Sequence, residues 1–155
     1  MTDSKIKILY VDDEENNLFS FKATFRLKYQ VFTAISGAKA IQVLDEHPDI
    51  EIIFTDQRMP DMTGVEFLES ILPKHPDPMR ILLTGYADLS ASIDAVNRGK
   101  IFHYLSKPWN EDELHMTIER AYAAYRLRME EKEMNLKLIQ TADQMEFILR
   151  QKLLS

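Results

Sequence analysis

Three aspartates, a threonine and a lysine are the residues of this chain whose types and placement could do chemistry. Asp56 ends the apolar segment Ile52-Ile53-Phe54-Thr55, and the pair Asp12-Asp13 follows Ile8-Leu9-Tyr10-Val11. Thr84 closes Arg80-Ile81-Leu82-Leu83, and Lys107 stands just beyond Ile101-Phe102 and Tyr104-Leu105. Carboxylates brought together repel one another, so common ionisation of Asp12, Asp13 and Asp56 at neutral pH calls for a hard divalent cation. Magnesium suits such a site, because it takes one or two carboxylates, keeps several waters and bridges to a phosphoryl oxygen. A carboxylate can act as the nucleophile in phosphoryl transfer and form an acyl phosphate, while a metal and a lysine neutralise the transferred charge. Asp56 fits the first role and Lys107 the second. The Thr84 hydroxyl can donate to a phosphoryl oxygen.

For these residues to meet, the elements carrying them must end on one edge. Apolar runs at 6–11, 30–35, 51–55, 80–84 and 101–105 read as strands, alternating with helical periodicity at 16–27, 37–46, 65–72 and 89–98. Leu18, Phe21, Phe25 and Leu27 share one face of the first helix, and Ala40, Ile41 and Leu44 one face of the second. Prolines 73, 76 and 78 close the third helix, and Gly99 is placed as the stop of the fourth. Five strands alternating with helices predict a doubly wound parallel sheet of α/β class, since parallel strands need right-handed crossover helices. Its active edge lies at the carboxyl ends of the strands.

Composition limits the alternatives. With 155 residues and 45% hydrophobic content, one domain with a sizeable core is expected, plus some residues beyond it. There is no cysteine, which excludes disulfides and thiolate chemistry; with no signal-peptide-like start, a cytoplasmic protein is expected. Apolar runs are too short to cross a bilayer, and a net charge of -6 argues against direct nucleic-acid binding.

From Asn110, a helix cap, to the end there is neither proline nor glycine, and helix formers dominate. Leu114, Ile118, Ala121 and Tyr122 can cover the sheet. Further on, Leu127, Met134, Thr141 and Ile148 recur every seven residues with Leu138 and Met145 between them, a heptad seam interrupted by Glu131 and Lys152. The expected organisation is a domain at 1–125 and a helical extension at 126–155 that pairs two copies as a coiled coil; a solvated linker helix is the plainer reading.

Taken singly, each chemical residue has an ordinary explanation. An Asp after a strand is usually a turn former or cap, Lys107 a surface lysine, Thr84 a strand-end hydroxyl and Tyr104 a half-buried strand aromatic. Jointly they end strands one, three, four and five of one repeat. The segments Val11-Asp12-Asp13-Glu14, Asp56-Gln57-Arg58-Met59-Pro60, Leu83-Thr84-Gly85 and Lys107-Pro108-Trp109 resemble the receiver domain of two-component response regulators. The resemblance covers about residues 5 to 125 on the usual domain scale. It implies a flavodoxin-like sheet of strand order 2-1-3-4-5. It also implies Asp56 as the acceptor of phosphate from a sensor histidine kinase or histidine phosphotransfer protein. By the same resemblance Asp13, Asp56 and the backbone carbonyl of Arg58 bind Mg²⁺, with Asp12 acting through water. Thr84 and Lys107 hold the phosphoryl group, and Tyr104 is a switch aromatic coupled to Thr84.

Arg58 and Tyr86 resemble a subgroup of receivers with Asp-Gln-Arg-Met-Pro and Lys-Pro-Trp signatures, and they flank the path of the hydrolytic water in that family. They are candidates for lengthening phosphate lifetime. The implied output is a shift of the face formed by the predicted fourth helix, the fifth strand and the last helix. The signal would pass into the C-terminal helix and on to a downstream output domain. Such a receiver is not a conventional enzyme, although it catalyses its own phosphorylation. Two other classes stay open: a phosphorylation-independent dimerisation or scaffold module, and a Mg²⁺-dependent phosphohydrolase. The hydrolase would need an acid/base carboxylate just past the nucleophile, where Gln57 and Arg58 offer none. His47, His75, His103 and His115 lack metal-ligand spacing and read as surface or packing residues.

Overall fold

A computed structural model describes residues 4–85 and 97–154. Five strands, β1 (Lys7–Val11), β2 (Gln30–Ala34), β3 (Ile52–Asp56), β4 (Met79–Thr84) and β5 (His103–Ser106), form one sheet. Every pairing is parallel, as the alternating pattern predicts, and the order is β2-β1-β3-β4-β5, as the family resemblance implies. The strand order reverses between β1 and β3, and in open parallel sheets such a switch point opens a crevice at the carboxyl edge.

Helices α1 (Glu15–Phe25), α2 (Gly37–Glu46) and α3 (Gly64–Ile71), with the C-terminal helix (Glu111–Leu154), cover the two faces of the sheet. Alternation along β1 shows why two cores form: Ile8 and Tyr10 point to one face, Leu9 and Val11 to the other. The first face packs Phe21 and Phe25 of α1 with Leu114, Ile118 and Ala121 of the C-terminal helix. Tyr10 stacks on Phe21 at 4.2 Å between ring centroids, and Trp109 meets Phe21 edge-on at 6.1 Å. The second face buries Ala40 and Leu44 of α2 and Phe67, Leu68 and Ile71 of α3.

Three local expectations are corrected. Leu27 does not join the α1 face: the helix ends at Phe25, and Leu27 is exposed in the turn toward β2. The fifth strand is displaced toward Lys107, running His103–Ser106, because Ile81 to Thr84 pair with those four residues in register. Gly99 is not the left-handed stop. Residues 97–99 are helical and Lys100 takes that conformation, with φ of 49°. The remainder of the helix predicted at 89–98 lies outside the described residues, as does Tyr86.

Asn110 caps the C-terminal helix, its Oδ1 accepting the Glu113 N–H at 3.2 Å. That helix is continuous over 44 residues. Leu114, Thr117, Ile118 and Ala121 are its buried residues, and beyond Tyr125 it is exposed apart from the half-buried Met129. Among the described residues no helix is long and apolar enough to cross a membrane.

Candidate functional site

The carboxyl edge of the sheet gathers the chemical residues because register leaves no other place for them. Val11 pairs with Thr55, Asp56 with Leu83, and Thr84 with Ser106. Beyond the ladders the chain stays tied: the Asp12 N–H donates to the Ala34 carbonyl at 3.1 Å, Gln57 to Leu83 at 3.0 Å and Lys107 to Thr84 at 2.8 Å. Asp12, Asp13, Asp56, Thr84 and Lys107 are thereby held on consecutive strand ends.

Carboxylate oxygens of Asp12, Asp13 and Asp56 all lie within 4.8 Å of one another. Asp12 and Asp56 are buried and Asp13 is half-buried. Lys107 Nζ stands 3.2 Å from Asp56 Oδ2 and 3.2 Å from Asp12 Oδ2, so one ammonium serves two carboxylates. Asp12 is fully engaged: Oδ1 accepts the Glu14 N–H at 2.9 Å, and Oδ2 also accepts from Asn17 Nδ2 at 3.0 Å. Among the described residues Asp13 makes no such framing bond.

Electrostatics separate the roles. Burial, opposed by Lys107 and reinforced by Asp12 and Asp13, raises the Asp56 carboxyl above its ordinary value. Burial works against the Lys107 charge, yet Asp56 and Asp12 outweigh it and raise the ammonium above the usual lysine range. A cation is therefore firmly present beside a carboxylate whose charge is costly, and a further cation or a phosphoryl group suits the cluster. Oxygen-only donors of three carboxylates match a hard divalent ion such as Mg²⁺.

Supporting contacts hold the loop after β3. Gln57 Oε1 accepts the Val65 N–H at 3.0 Å, and Thr63 with Glu66 completes a capping box at the start of α3. Gly64 is needed for close approach: a Cβ there would lie 2.4 Å from the Asp56 carbonyl oxygen and 2.9 Å from Leu82. In the same loop Asp61 takes a left-handed φ of 70°. Asn17, Gln57 and Gly64 as supports of the acidic cluster were not recognised from sequence alone. Asn17 falls on the first turn of α1, five residues past Asp12, which was the available signal.

Thr84 is buried at the site, with its hydroxyl donating to the Gly85 carbonyl at 3.1 Å. Tyr104 points outward, 51% exposed, and stacks on His103 with ring centroids 6.2 Å apart. Arg58 is exposed on the loop leaving β3. The histidines lie elsewhere: His75 pairs with Asp45 at 2.9 Å, His115 meets the Tyr29 hydroxyl at 2.7 Å, and His47 stacks against Phe32.

A family model described as the response regulator receiver domain matches residues 8–119. The hydrogenase transcriptional regulatory protein HoxA of Cupriavidus necator is 35% identical over 138 residues, covering 89% of this chain and 28% of HoxA. A response regulator receiver domain protein from Clostridium thermocellum superposes with a TM-score of 0.72 at 32% identity, covering 78% of this chain and 97% of that one. A structure described as an adenylate cyclase from Rhodopirellula baltica gives 0.79 at 29% identity, over 84% of this chain and 96% of that chain. The chain spans less than a third of the length of the curated relatives it matches, among them HoxA and the Escherichia coli regulatory protein AtoC. With the family model matching most of its length and these carboxylates at the switch-point edge, the chain belongs to the receiver domains of two-component response regulators.

Proposed function

We propose that this chain is a phosphoacceptor module in which Asp56 takes a phosphoryl group from the phosphohistidine of a sensor kinase or a histidine phosphotransfer protein. The observation that carries the reading is Lys107 Nζ at 3.2 Å from both Asp56 and Asp12, beside a third carboxylate within 4.8 Å. An Asp56 carboxylate oxygen attacks phosphorus, the phosphorus–nitrogen bond of the donor breaks, and the imidazole leaves with a proton. Lys107 balances charge on the transferred oxygens. Thr84 gives up its bond to Gly85 and donates to a phosphoryl oxygen.

Asp13, Asp56 and the Arg58 backbone carbonyl would hold Mg²⁺, which supplies charge neutralisation and an oxygen template when bound. Asp12, with both oxygens already accepting protein hydrogen bonds, would reach the ion through water. This chain is a signalling module rather than a conventional enzyme, acting in the cytoplasm. The organisation that fits is a receiver at 1–125 and a helical extension at 126–155 that pairs with a second copy and leads toward an output domain. Tyr104 would turn inward as Thr84 re-aims, biasing a two-state face that continues into the C-terminal helix.

Arg58 and Tyr86, which carry the subgroup pattern with Lys-Pro-Trp, would screen the acyl phosphate from water. Arg58→Asn and Tyr86→Ala are expected to speed dephosphorylation; unchanged or slower decay in both removes that role. For the central reaction, acetyl phosphate with Mg²⁺ should add one phosphoryl group to the wild-type chain and none to Asp56→Ala, read by intact mass. Sustained turnover of donor would instead indicate a hydrolase, and no reaction a scaffold.

A further inference from the structure

The exposed apolar residues of the C-terminal helix keep better time at eleven residues than at seven. Leu127, Leu138 and Leu149 are eleven apart, as are Met134 and Met145, and so are Glu131, Ala142 and Leu153. The heptad seam shares its first half with this series and diverges later. It then places Thr141, Ile148 and Lys152 where the longer repeat places Ala142, Leu149 and Leu153. One alternative thus brings a hydroxyl and an ammonium into the seam, while the other is apolar at all three positions. Eleven residues over three turns is about 3.67 per turn, close to the relaxed helix, so such a stripe runs nearly straight with a slight right-handed drift.

The stripe also extends backward. One repeat before Leu127, Glu131 and Met134 stand Met116, Arg120 and Ala123, all exposed although the same helix is there packed on the sheet. Packing uses another face. Arg128 donates to the Asp77 carbonyl at 3.3 Å, Lys132 Nζ pairs with Asp77 Oδ1 at 2.6 Å, and Met129 is half-buried. At about 100° per residue these three lie roughly 100–200° around the helix from Leu127, so the stripe faces away from its own domain. The helical ion pairs Arg126–Glu130 and Glu133–Lys137 lie beside it, not on it.

We infer that this stripe is the interface with a second copy of the chain, paired in parallel as a nearly straight or right-handed coil with an eleven-residue repeat. The inference rests on the coiled-coil reading above and specifies its geometry. A second copy supplies the same repeat at every layer. Area supports the full length: a helix segment from Met116 to Leu154 is about 58 Å long, and a strip about 10 Å wide buries roughly 1,200 Å² in total, the lower bound for a stable specific interface. The segment after Leu127 alone falls short of that, which argues for pairing that starts on the domain itself. An antiparallel pair that set Arg120 against Glu131 would centre between those residues, set Leu138 against Glu113 and leave Met145 to Leu153 unpaired. In the parallel pair Arg120 and Glu131 each face their own copy, so those two layers are the weakest.

The chain has no cysteine, which permits a direct test on these 155 residues. Single variants Leu149→Cys and Leu153→Cys are compared with Ile148→Cys and Lys152→Cys for disulfide formation under mild oxidation, alongside sedimentation equilibrium. The expected result is a dimer in which the 149 and 153 variants cross-link several-fold faster than the 148 and 152 variants, because only facing Cα atoms come within disulfide reach. Glu131→Leu should tighten the dimer. Faster cross-linking at 148 and 152, or equal rates, overturns the eleven-residue geometry while leaving a coiled coil standing. A dimer that cross-links at none of these positions overturns parallel pairing. A chain that stays monomeric overturns the coiled-coil reading itself.

Discussion

At the scale of single residues, the site balances one ammonium against three carboxylates. Lys107 pairs with Asp12 and Asp56, and among the described residues it forms no ion pair with Asp13. Mg²⁺ is therefore expected to stabilise the wild-type fold by an amount that grows with the logarithm of its concentration once that exceeds the Kd, as any ligand of the folded state does. Asp13→Asn should lose most of that Mg²⁺-dependent rise in melting temperature; an undiminished rise would remove Asp13 from the ion site. Asp56 carries a pH signature. Its raised carboxyl means that the folded state binds the proton more tightly than the unfolded state, so stability falls as pH rises through the folded value. Asp56→Asn should thus melt a few degrees higher than wild type at pH 7 without metal, and the advantage should vanish below the ordinary aspartate range. Melting curves across pH check this, and an Asn variant that melts lower at pH 7 would contradict it. Lys107 has the same sign in a higher pH window. Its raised value gives stability that is present below the ordinary lysine range and is lost as pH climbs through the folded one. Lys107→Met at neutral pH leaves buried carboxylates uncompensated and should cost roughly 1–3 kcal/mol.

At the scale of elements, close backbone approach sets the tolerances. Gly64→Ala would force a Cβ into the Asp56 carbonyl, a backbone atom that cannot step aside, and is expected to cost roughly 2–4 kcal/mol with impaired phosphorylation. Gly37→Ala meets only the far end of the Met62 side chain and should be nearly neutral. Chemical denaturation of the two variants separates them, and equal losses would contradict the contrast. Much of this level was legible in the sequence, because period-two and helical patterns at the strands and helices coincide with two separate cores. Legibility failed where a tertiary neighbour decides. β5 is positioned by its ladder with Ile81 to Thr84 rather than by its own apolar run at Ile101-Phe102. Lys100 accepts the left-handed stop despite the glycine beside it. The constraint on Gly64 is not legible either, since nothing local announces that a carbonyl from β3 will lie against it. The site residues themselves were readable because strand ends in a parallel sheet must share an edge. Their supports, Asn17 and Gln57, were not, because a side-chain hydrogen bond across a turn leaves no periodicity.

At the scale of the whole molecule, the acidic edge and the exposed stripe lie on one continuous path. Lys107 is followed by Trp109, which packs against Phe21 and Phe25, and then by Asn110 at the start of the C-terminal helix. We propose that a change at Lys107 passes along this path to the first turn of the element that carries Met116 through Leu153. Its size is bounded by the difference in stabilisation between the two states, so a shift in dimer population rather than a new fold is expected. Beryllofluoride with Mg²⁺, a phosphoryl mimic, should change the dimer constant of wild type and leave Asp56→Ala unchanged in sedimentation equilibrium. The central claim, that Asp56 carries the phosphoryl group, is tested most directly by borohydride reduction after phosphorylation, which converts an aspartyl phosphate to homoserine in place. Peptide sequencing should find homoserine at position 56 and nowhere else; homoserine at position 12 or 13, or none in a chain that has taken up phosphate, would contradict the account.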